Sequence, residues 1–465
     1  MEKNQKIILF LLALCIFVVV LDSAIINVAL PAIKDALSFE TSTLQWVLTS
    51  YILTFGGFLM LGGRTADLYG RRRVLVFGIA GFTLCSLLIG FSTSSTMMVV
   101  LRAFQGLAAA FMAPTALSIL LTTFKEGEER NRALSIWSIV ASGGAAAGVF
   151  LGGVLTQYLG WEWCFFVNVP IGIAAIWGIR KYVPLHKETK QTHLDLPGAV
   201  LITGGLISLV YALTLAAVSG WAAQATLLTF GISIALLAAF VFNESKVKHP
   251  LIPLSIFRIR NVTGGNLIML PIIAGAMGMF FFLSQYVQNV LQYSPVQSGL
   301  CFLPIPLIIG IISYQAPRLL KRFGFKPLVI AGISFASLGV FLISLLGIGS
   351  SYVFHLLPSF IILAAGFGIS FVAITVAATS GVPGDEAGIA AGLINTSQQV
   401  GGALGLATLS FVSTSAATAA TLAGKPMIEA TVTGYQQAFL TSTGLMLLAL
   451  FVAVVVIKAS PHQTK

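Results

Sequence analysis

Charged residues are scarce in this chain: only 9% of its 465 positions are Asp, Glu, Lys or Arg. A soluble domain usually carries about 25%, so water is excluded as the main solvent of its surface. The 57% hydrophobic content and the mean hydropathy of +0.96 point to lipid instead. Acids are fewer than bases, 15 against 26, leaving a net charge of +11. In a soluble protein that excess would suggest nucleic acid; here the bases sit in short segments between apolar runs, so no nucleic-acid partner is expected. Cysteine is nearly missing: Cys15, Cys85, Cys164 and Cys301 all fall inside apolar runs, with no disulfide or metal spacing. They read as small core residues, and no metal is expected. No GxxxxGK[ST] loop occurs, and no polar stretch is long enough for a nucleotide-binding domain. Hydrolysis within the chain is thereby excluded as an energy source, and no cofactor is expected. A catalytic cluster is lacking as well. His355 is isolated and Asp22 stands alone in its apolar run, so the chain is not expected to be an enzyme. There is also no cleavable-leader pattern: the apolar run from Lys6 to Ala32 is too long for a signal h-region and reads as a first membrane span.

What the chain has is apolar runs. A helix needs about 20 apolar residues to cross the hydrocarbon. Fourteen such runs are present, at 7–32, 46–63, 74–93, 97–122, 134–157, 164–181, 196–218, 222–242, 263–291, 296–316, 327–348, 353–379, 388–414 and 434–457. An even number puts both termini on one side. With the termini cytoplasmic, Arg102 lies within a span and only Lys34 and Lys425 fall outside the cell, as the positive-inside bias requires. A weak repeat adds organisation. The segment Gly63–Arg73 before span 3 is matched by Pro317–Lys326 before span 11, and Gly143-Gly144 in span 5 by Gly401-Gly402 in span 13. Both pairs are eight spans apart. The simplest account is an all-α polytopic membrane protein of 14 transmembrane helices: two pseudo-symmetric six-helix halves, 1–185 and 251–465, with two linker helices inserted at 186–250. Many secondary transporters are built from such halves around a site at mid-membrane.

Asp22 is the one acid well inside a span. A carboxylate there costs several kcal/mol unless it is paired, hydrated or protonated. It reads either as a proton carrier or cation site, or as a carboxylate neutralised by a structural partner. Arg102 lies about 8 Å from the outer end of span 4 and Asp22 about 12 Å from that of span 1, so the two can meet.

Other polar side chains sit in the spans. Span 9 carries Gln285, Gln288, Asn289 and Gln292 at the i, i+3, i+4, i+7 spacing of one helical face, beside Phe280, Phe281, Phe282 and Tyr286. Span 13 carries Asn395 to Gln399, and span 4 carries Gln105 one turn from Arg102. Any one of these is explained as well by an interhelical hydrogen bond, whereas the span 9 stripe favours a cavity wall. Amides beside aromatics suit large apolar ligands with a few polar groups. Span 5 carries Gly144, Gly148, Gly152 and Gly153, a packing signal first. Asp195 and Pro197 resemble a cap for span 7, and the basic segment Glu244–Arg260 reads either as an element on the anionic inner leaflet or as a solvated loop.

Together these residues resemble the major facilitator superfamily, and within it the fourteen-helix drug:proton antiporter branch, over nearly the whole chain. The segment Gly63…Asp67…Gly70-Arg71-Arg72 is similar to that family's signature between helices 2 and 3, with Leu68 where many members carry a base. The resemblance implies a conformational latch there. Leu101-Arg102-Ala103-Phe104-Gln105-Gly106 resembles the helix 4 motif, whose Arg is tied to proton transfer. The stretch Leu21-Asp22-Ser23-Ala24-Ile25-Ile26-Asn27 through Pro31 resembles the helix 1 signature of the branch, and Trp161–Gly172 another of its segments, with Glu162 where a base is usual. The helix 5 antiporter motif is present in its glycines, with Val149 in place of its proline. The resemblance implies proton-coupled export of amphipathic or lipophilic molecules, that is, multidrug efflux and antibiotic resistance. Asp22 and Arg102 would couple the proton, and Asn27, Gln105, Gln285, Tyr286, Gln288, Asn289, Asn395 and Gln398 would line the cavity. No further acid occurs in a later span, which favours monovalent cations, zwitterions or neutral amphiphiles over dications. Transport of one endogenous metabolite or lipid-like molecule is the alternative. The expected partners are the bilayer, the substrate and protons, with the protein working as a monomer in a bacterial inner membrane.

Overall fold

The computed structural model describes residues 3–40, 43–124, 128–184, 195–247, 250–252, 254–380, 382 and 387–458. In hydrocarbon every backbone N–H and C=O must be satisfied within its own segment, and the apolar runs form helices throughout. They are α1 (Lys3–Ala36), α2 (Trp46–Tyr69), α3 (Arg71–Gly90), α4 (Ser95–Thr123), α5 (Glu128–Tyr158), α6 (Trp163–Phe166), α7 (Asn168–Tyr182), α8 (Leu196–Ser219) and α9 (Gln224–Lys246). After these come α10 (Arg260–Asn289), α11 (Pro295–Phe302), α12 (Pro304–Phe323), α13 (Phe325–Ser344), α14 (Leu357–Thr379), α15 (Ala387–Leu422) and α16 (Met427–Val456). Among the described residues no strand is present, and 13 helical spans are long and apolar enough to cross a membrane. The remaining span, in α2, has a shorter apolar stretch, Trp46–Leu59.

Several spans are interrupted where the sequence predicts continuity. Pro170 lacks the N–H that would bond to Phe166, and the sixth span divides there into α6 and α7. Pro304 and Pro306 do the same between α11 and α12. Span 12 opens with a wide π turn at Tyr352–Leu356 before α14. The segment Gly63–Arg73, expected as a loop, is helical except at one residue. With no proline to stop it, α2 runs to Tyr69, and Gly70 alone breaks the chain at φ 90° before α3 begins. Gly324, at φ 72°, makes the same one-residue junction between α12 and α13, and Pro317 lies inside α12.

The chain groups into two compact units. One holds Met1–Leu206, Leu236–Leu251 and Ser294–Leu300; the other holds Ile207–Ala235, Ile252–Tyr293 and Cys301–Lys465. The segment 186–250 is thus divided between them. In the first unit α1 packs on α5, α2 and α3 on α4, and α3 on α7. In the second, α10 packs on α15, α12 and α13 on α14, and α13 on α16. This is one pairing scheme used twice, eight spans apart. At the start of α8, Asp195 Oδ1 accepts from the Gly198 amide at 2.9 Å, a side-chain N-cap, and its Oδ2 accepts from Asn243 of α9 at 2.8 Å.

Candidate functional site

The centre of the first unit is built on Asp22, a little past the middle of α1. The helix brings it there because α5 offers glycine where α1 must come close. A Cβ on Gly148 would sit 2.7 Å from Ala24 Cβ and 2.8 Å from the Leu21 carbonyl, and one on Gly152 would sit 2.7 Å from the Ile25 carbonyl. Gly144 backs Phe17 of α1, where a Cβ would sit 3.0 Å from the Phe17 carbonyl. Gly153 turns the other way, toward the Pro295 carbonyl at the start of α11. A Cβ on Gly143 would meet nothing within 4 Å, so Gly143 is not needed for this contact. On the other side of the site, a Cβ on Gly106 of α4 would collide with the Tyr51 carbonyl of α2.

Asp22 is 0% exposed and Arg102 1% exposed. They form an ion pair at 2.6 Å between Arg102 Nη1 and Asp22 Oδ2. The other carboxylate oxygen accepts from Gln105 Nε2 and Asn168 Nδ2, each at 3.0 Å. Gln105 also donates to Ser86 Oγ at 2.8 Å, and its own carbonyl oxygen accepts from Arg102 at 2.6 Å. Arg102 Nε donates to the Val47 carbonyl of α2 at 3.0 Å, and the guanidinium lies 4.4 Å from the centre of the Tyr51 ring, with Phe165 farther out. A buried charge is tolerable only when it is paired and its remaining donors and acceptors are met. Here α1, α2, α3, α4 and α7 each supply a partner, so both charges are met, while the Asn168 Oδ1 and the Tyr51 hydroxyl are buried with no hydrogen-bond partner. Arg102 keeps two acceptors besides Asp22.

Two members of this network were not singled out from the sequence. Ser86 is an ordinary small polar residue in an apolar run and gives no signal. Asn168 stood within the quoted Trp161–Gly172 stretch; an amide next to the break before α7 was the available clue.

The remaining expected positions are more scattered. Asn27 is half-buried on α1 and donates to the Ser23 carbonyl at 2.9 Å. In the second unit Gln285 is buried and accepts from Asn289 Nδ2 at 2.9 Å, while Gln288 is half-buried. Gln292 is off the expected face: α10 ends at Asn289, and Gln292 adopts φ 58° and donates to the Asn289 carbonyl at 2.6 Å. Tyr286 is 1% exposed, and its hydroxyl donates to the Gly347 carbonyl at 2.6 Å, fastening α10 to the turn after α13. Asn395 is exposed on α15, and Gln398 is half-buried with its amide 3.7 Å from Met269 Sδ. Ser397 donates to Asn266 Oδ1 at 2.7 Å, a partly buried link between α10 and α15.

Among the latch candidates, a Cβ on Gly63 would make only an ordinary contact with Pro114, at 3.8 Å; the tight approach, onto the Ala110 carbonyl of α4, is at Gly62. Gly70 is the helix junction already described. Arg71 and Arg72 are half-buried, and Arg72 donates to the Arg180 carbonyl at the end of α7. The side chain of Asp67 lies outside the described residues.

The model of the Major Facilitator Superfamily matches residues 12–406. The puromycin resistance protein pur8 of Streptomyces alboniger is 40% identical over 449 residues, covering 94% of this chain and 88% of that one. The cephamycin export protein CmcT of Amycolatopsis lactamdurans is 40% identical over 397 residues, 84% and 82% of the two chains. The multidrug resistance protein Stp of Mycobacterium tuberculosis is 31% identical over 412 residues, 89% and 76%. Among solved structures, the POT family transporter PepTSo aligns with a TM-score of 0.70 at 16% identity, over 98% of this chain and 97% of that one. The human organic anion transporter MFSD10 aligns at 0.65 and 15% identity, over 97% and 100%. At such identities the two structures speak for the fold alone.

Proposed function

This chain belongs to the Major Facilitator Superfamily, and from that premise we propose that it is a secondary transporter exporting amphipathic small molecules in exchange for protons by alternating access. The observation that carries the reading is the sealed ion pair of Asp22 and Arg102. Such a pair adds little net stability over apolar packing and is costly to break, so its presence calls for a use. Proton exchange gives one. With Asp22 ionised, both of its oxygens are met, by Arg102 on one side and by Gln105 and Asn168 on the other. When Asp22 takes up a proton, Arg102 still holds the Val47 carbonyl, the Gln105 carbonyl oxygen and the Tyr51 face, so the cation survives the loss of its partner. Because Asp22 has no exposed surface here, proton exchange requires the surrounding helices to open. Transport and protonation are coupled by that opening. The relatives named for export of or resistance to antibiotics support export as the direction. The site is assigned to a bacterial plasma membrane, with both termini cytoplasmic and a single chain as the working unit.

The test is proton release from purified protein in proteoliposomes on adding a lipophilic monovalent cation, compared with Asp22→Asn. Release by the wild type and none by the variant is expected. Equal release by both removes Asp22 as the coupling group. A narrower reading, one compound rather than many, is favoured by relatives whose names carry a single antibiotic. Competition by chemically unrelated cations separates the two, since a narrow transporter is inhibited by few of them.

A further inference from the structure

A groove of about 450 Å³ opens where α3 begins and α7 ends. It is lined by three arginines, Arg72, Arg73 and Arg180, here termed the rim, and by the apolar side chains of Val76, Phe77 and Ala80, here termed the floor. The export mechanism uses none of this floor. Arg72 spans the groove, donating to the backbone carbonyl of Arg180 and so fixing the two helix ends together. Phe77 is 70% exposed and is held edge-on by Phe111 of α4, with ring centres 6.4 Å apart. One turn from Arg180, Trp177 is 64% exposed with the Lys181 ammonium 4.9 Å from its ring centre, the aromatic-plus-base pairing found at the headgroup level of membranes.

The charge pattern selects the ligand. Three arginines line the groove at the start of α3 and the end of α7, and the start of α3 also presents the positive end of its helix dipole. Phosphate oxygens match that end. The floor then continues along α3 as exposed Phe77, Leu84, Leu88 and Phe91, a strip of hydrocarbon-facing side chains suited to an acyl chain. A free phosphate would satisfy the rim and leave the floor unused. We propose that this groove is a binding site for an anionic glycerophospholipid, with its phosphate on Arg72, Arg73 and Arg180 and its acyl chain on Val76, Phe77 and Ala80. The site lies on the face that the positive-inside bias assigns to the cytoplasm, where anionic lipid is available. A bound lipid would bridge the start of α3 to the end of α7, next to the Gly70 junction.

The experiment is native mass spectrometry of the full-length, delipidated protein titrated with phosphatidylglycerol or phosphatidylcholine. The variants are Arg180→Gln, which keeps the backbone carbonyl that Arg72 uses, and Ala80→Trp, which fills the floor without altering charge. The wild type is expected to retain one phosphatidylglycerol in preference to phosphatidylcholine. Arg180→Gln should weaken that preference about fivefold, and Ala80→Trp should weaken binding of the same lipid with the rim intact. Equal retention of the two lipids by the wild type overturns the proposal, as does a preference unchanged in both variants. Displacement of the lipid by millimolar inorganic phosphate also overturns it, in favour of a free-anion site.

Discussion

Asp22 and Arg102 constrain each other because neither can be solvated where it stands. Asp22→Asn leaves a buried guanidinium without its counter-charge, a loss of about 3–5 kcal/mol for removing one partner of such a pair. The expected result is a clear fall in the thermal unfolding midpoint of the purified protein together with loss of proton-coupled transport. Asp22→Asn combined with Arg102→Met should recover most of the stability and none of the transport. A single variant as stable as the wild type would show that water reaches the pair, contrary to its sealed geometry. Asn168 acts one step removed, as a donor to the ionised oxygen. Asn168→Ala removes a charge-assisted hydrogen bond of about 1.5–3 kcal/mol, so transport should slow without vanishing, and Asn168→Asp should not rescue it, because a second carboxylate would face the first. The sequence made the two charges conspicuous because ionisable residues are rare in spans. Ser86 and Asn168 stayed hidden because small polar side chains are common there, and only the fold tells which of them meet.

At the scale of the helix, glycines decide which surfaces touch. The α1–α5 contact depends on the row Gly144, Gly148 and Gly152, whose spacing of four was plain in the sequence. Gly148→Leu would force apart the turn of α1 that carries Leu21 and Asp22, since even its first carbon meets Ala24 at 2.7 Å. Loss of transport and a lowered unfolding midpoint are expected, measured beside Gly143→Ala, which meets open space and should behave as wild type. If Gly143→Ala is equally damaging, packing is not what the glycine row provides. A parallel case is Gly70, whose φ of 90° strains any L-residue, so Gly70→Ala should cost about 1–2 kcal/mol. Element boundaries were the least legible feature. Hydropathy marks where lipid begins and ends, whereas α2 continues past that boundary to Tyr69 and α10 stops at Asn289. That early stop is why the amide stripe of span 9 loses Gln292.

Across the whole molecule the two units share a pairing scheme and differ at its centre. Gly401 and Gly405 of α15 back onto Leu270 and Ala274 of α10 as Gly144 and Gly148 back onto Phe17 and Leu21 of α1. In that register Gly275 occupies the place of Asp22, and the carbonyl of Gly275 accepts from Ser442 of α16 at 2.9 Å. Gly332 meets Gly366 and Ser370 as Gly78 meets Ala108 and Met112, which sets Phe360 in the place of Arg102 and Leu363 in that of Gln105. Phe360 is fully buried among Phe302 and Tyr352, ring centres 5.9 and 6.5 Å away. The second unit therefore holds an aromatic cluster in the place of Arg102 and a glycine, its carbonyl bonded to a serine, in the place of Asp22. The repeat of eight spans was readable from two short motifs, but this asymmetry needs the register between helices. It gives a paired test. Phe360→Leu trades one buried apolar group for another at below about 1.5 kcal/mol, and substrate-driven proton release should persist. Arg102→Leu, the equivalent exchange in the first unit, strands the Asp22 carboxylate and should abolish it. If both folded variants lose proton release alike, coupling is spread over the two units and the ion network of the first is not its seat. If only Arg102→Leu does, the second unit serves the cycle by packing and movement, and the proton is handled in the first alone.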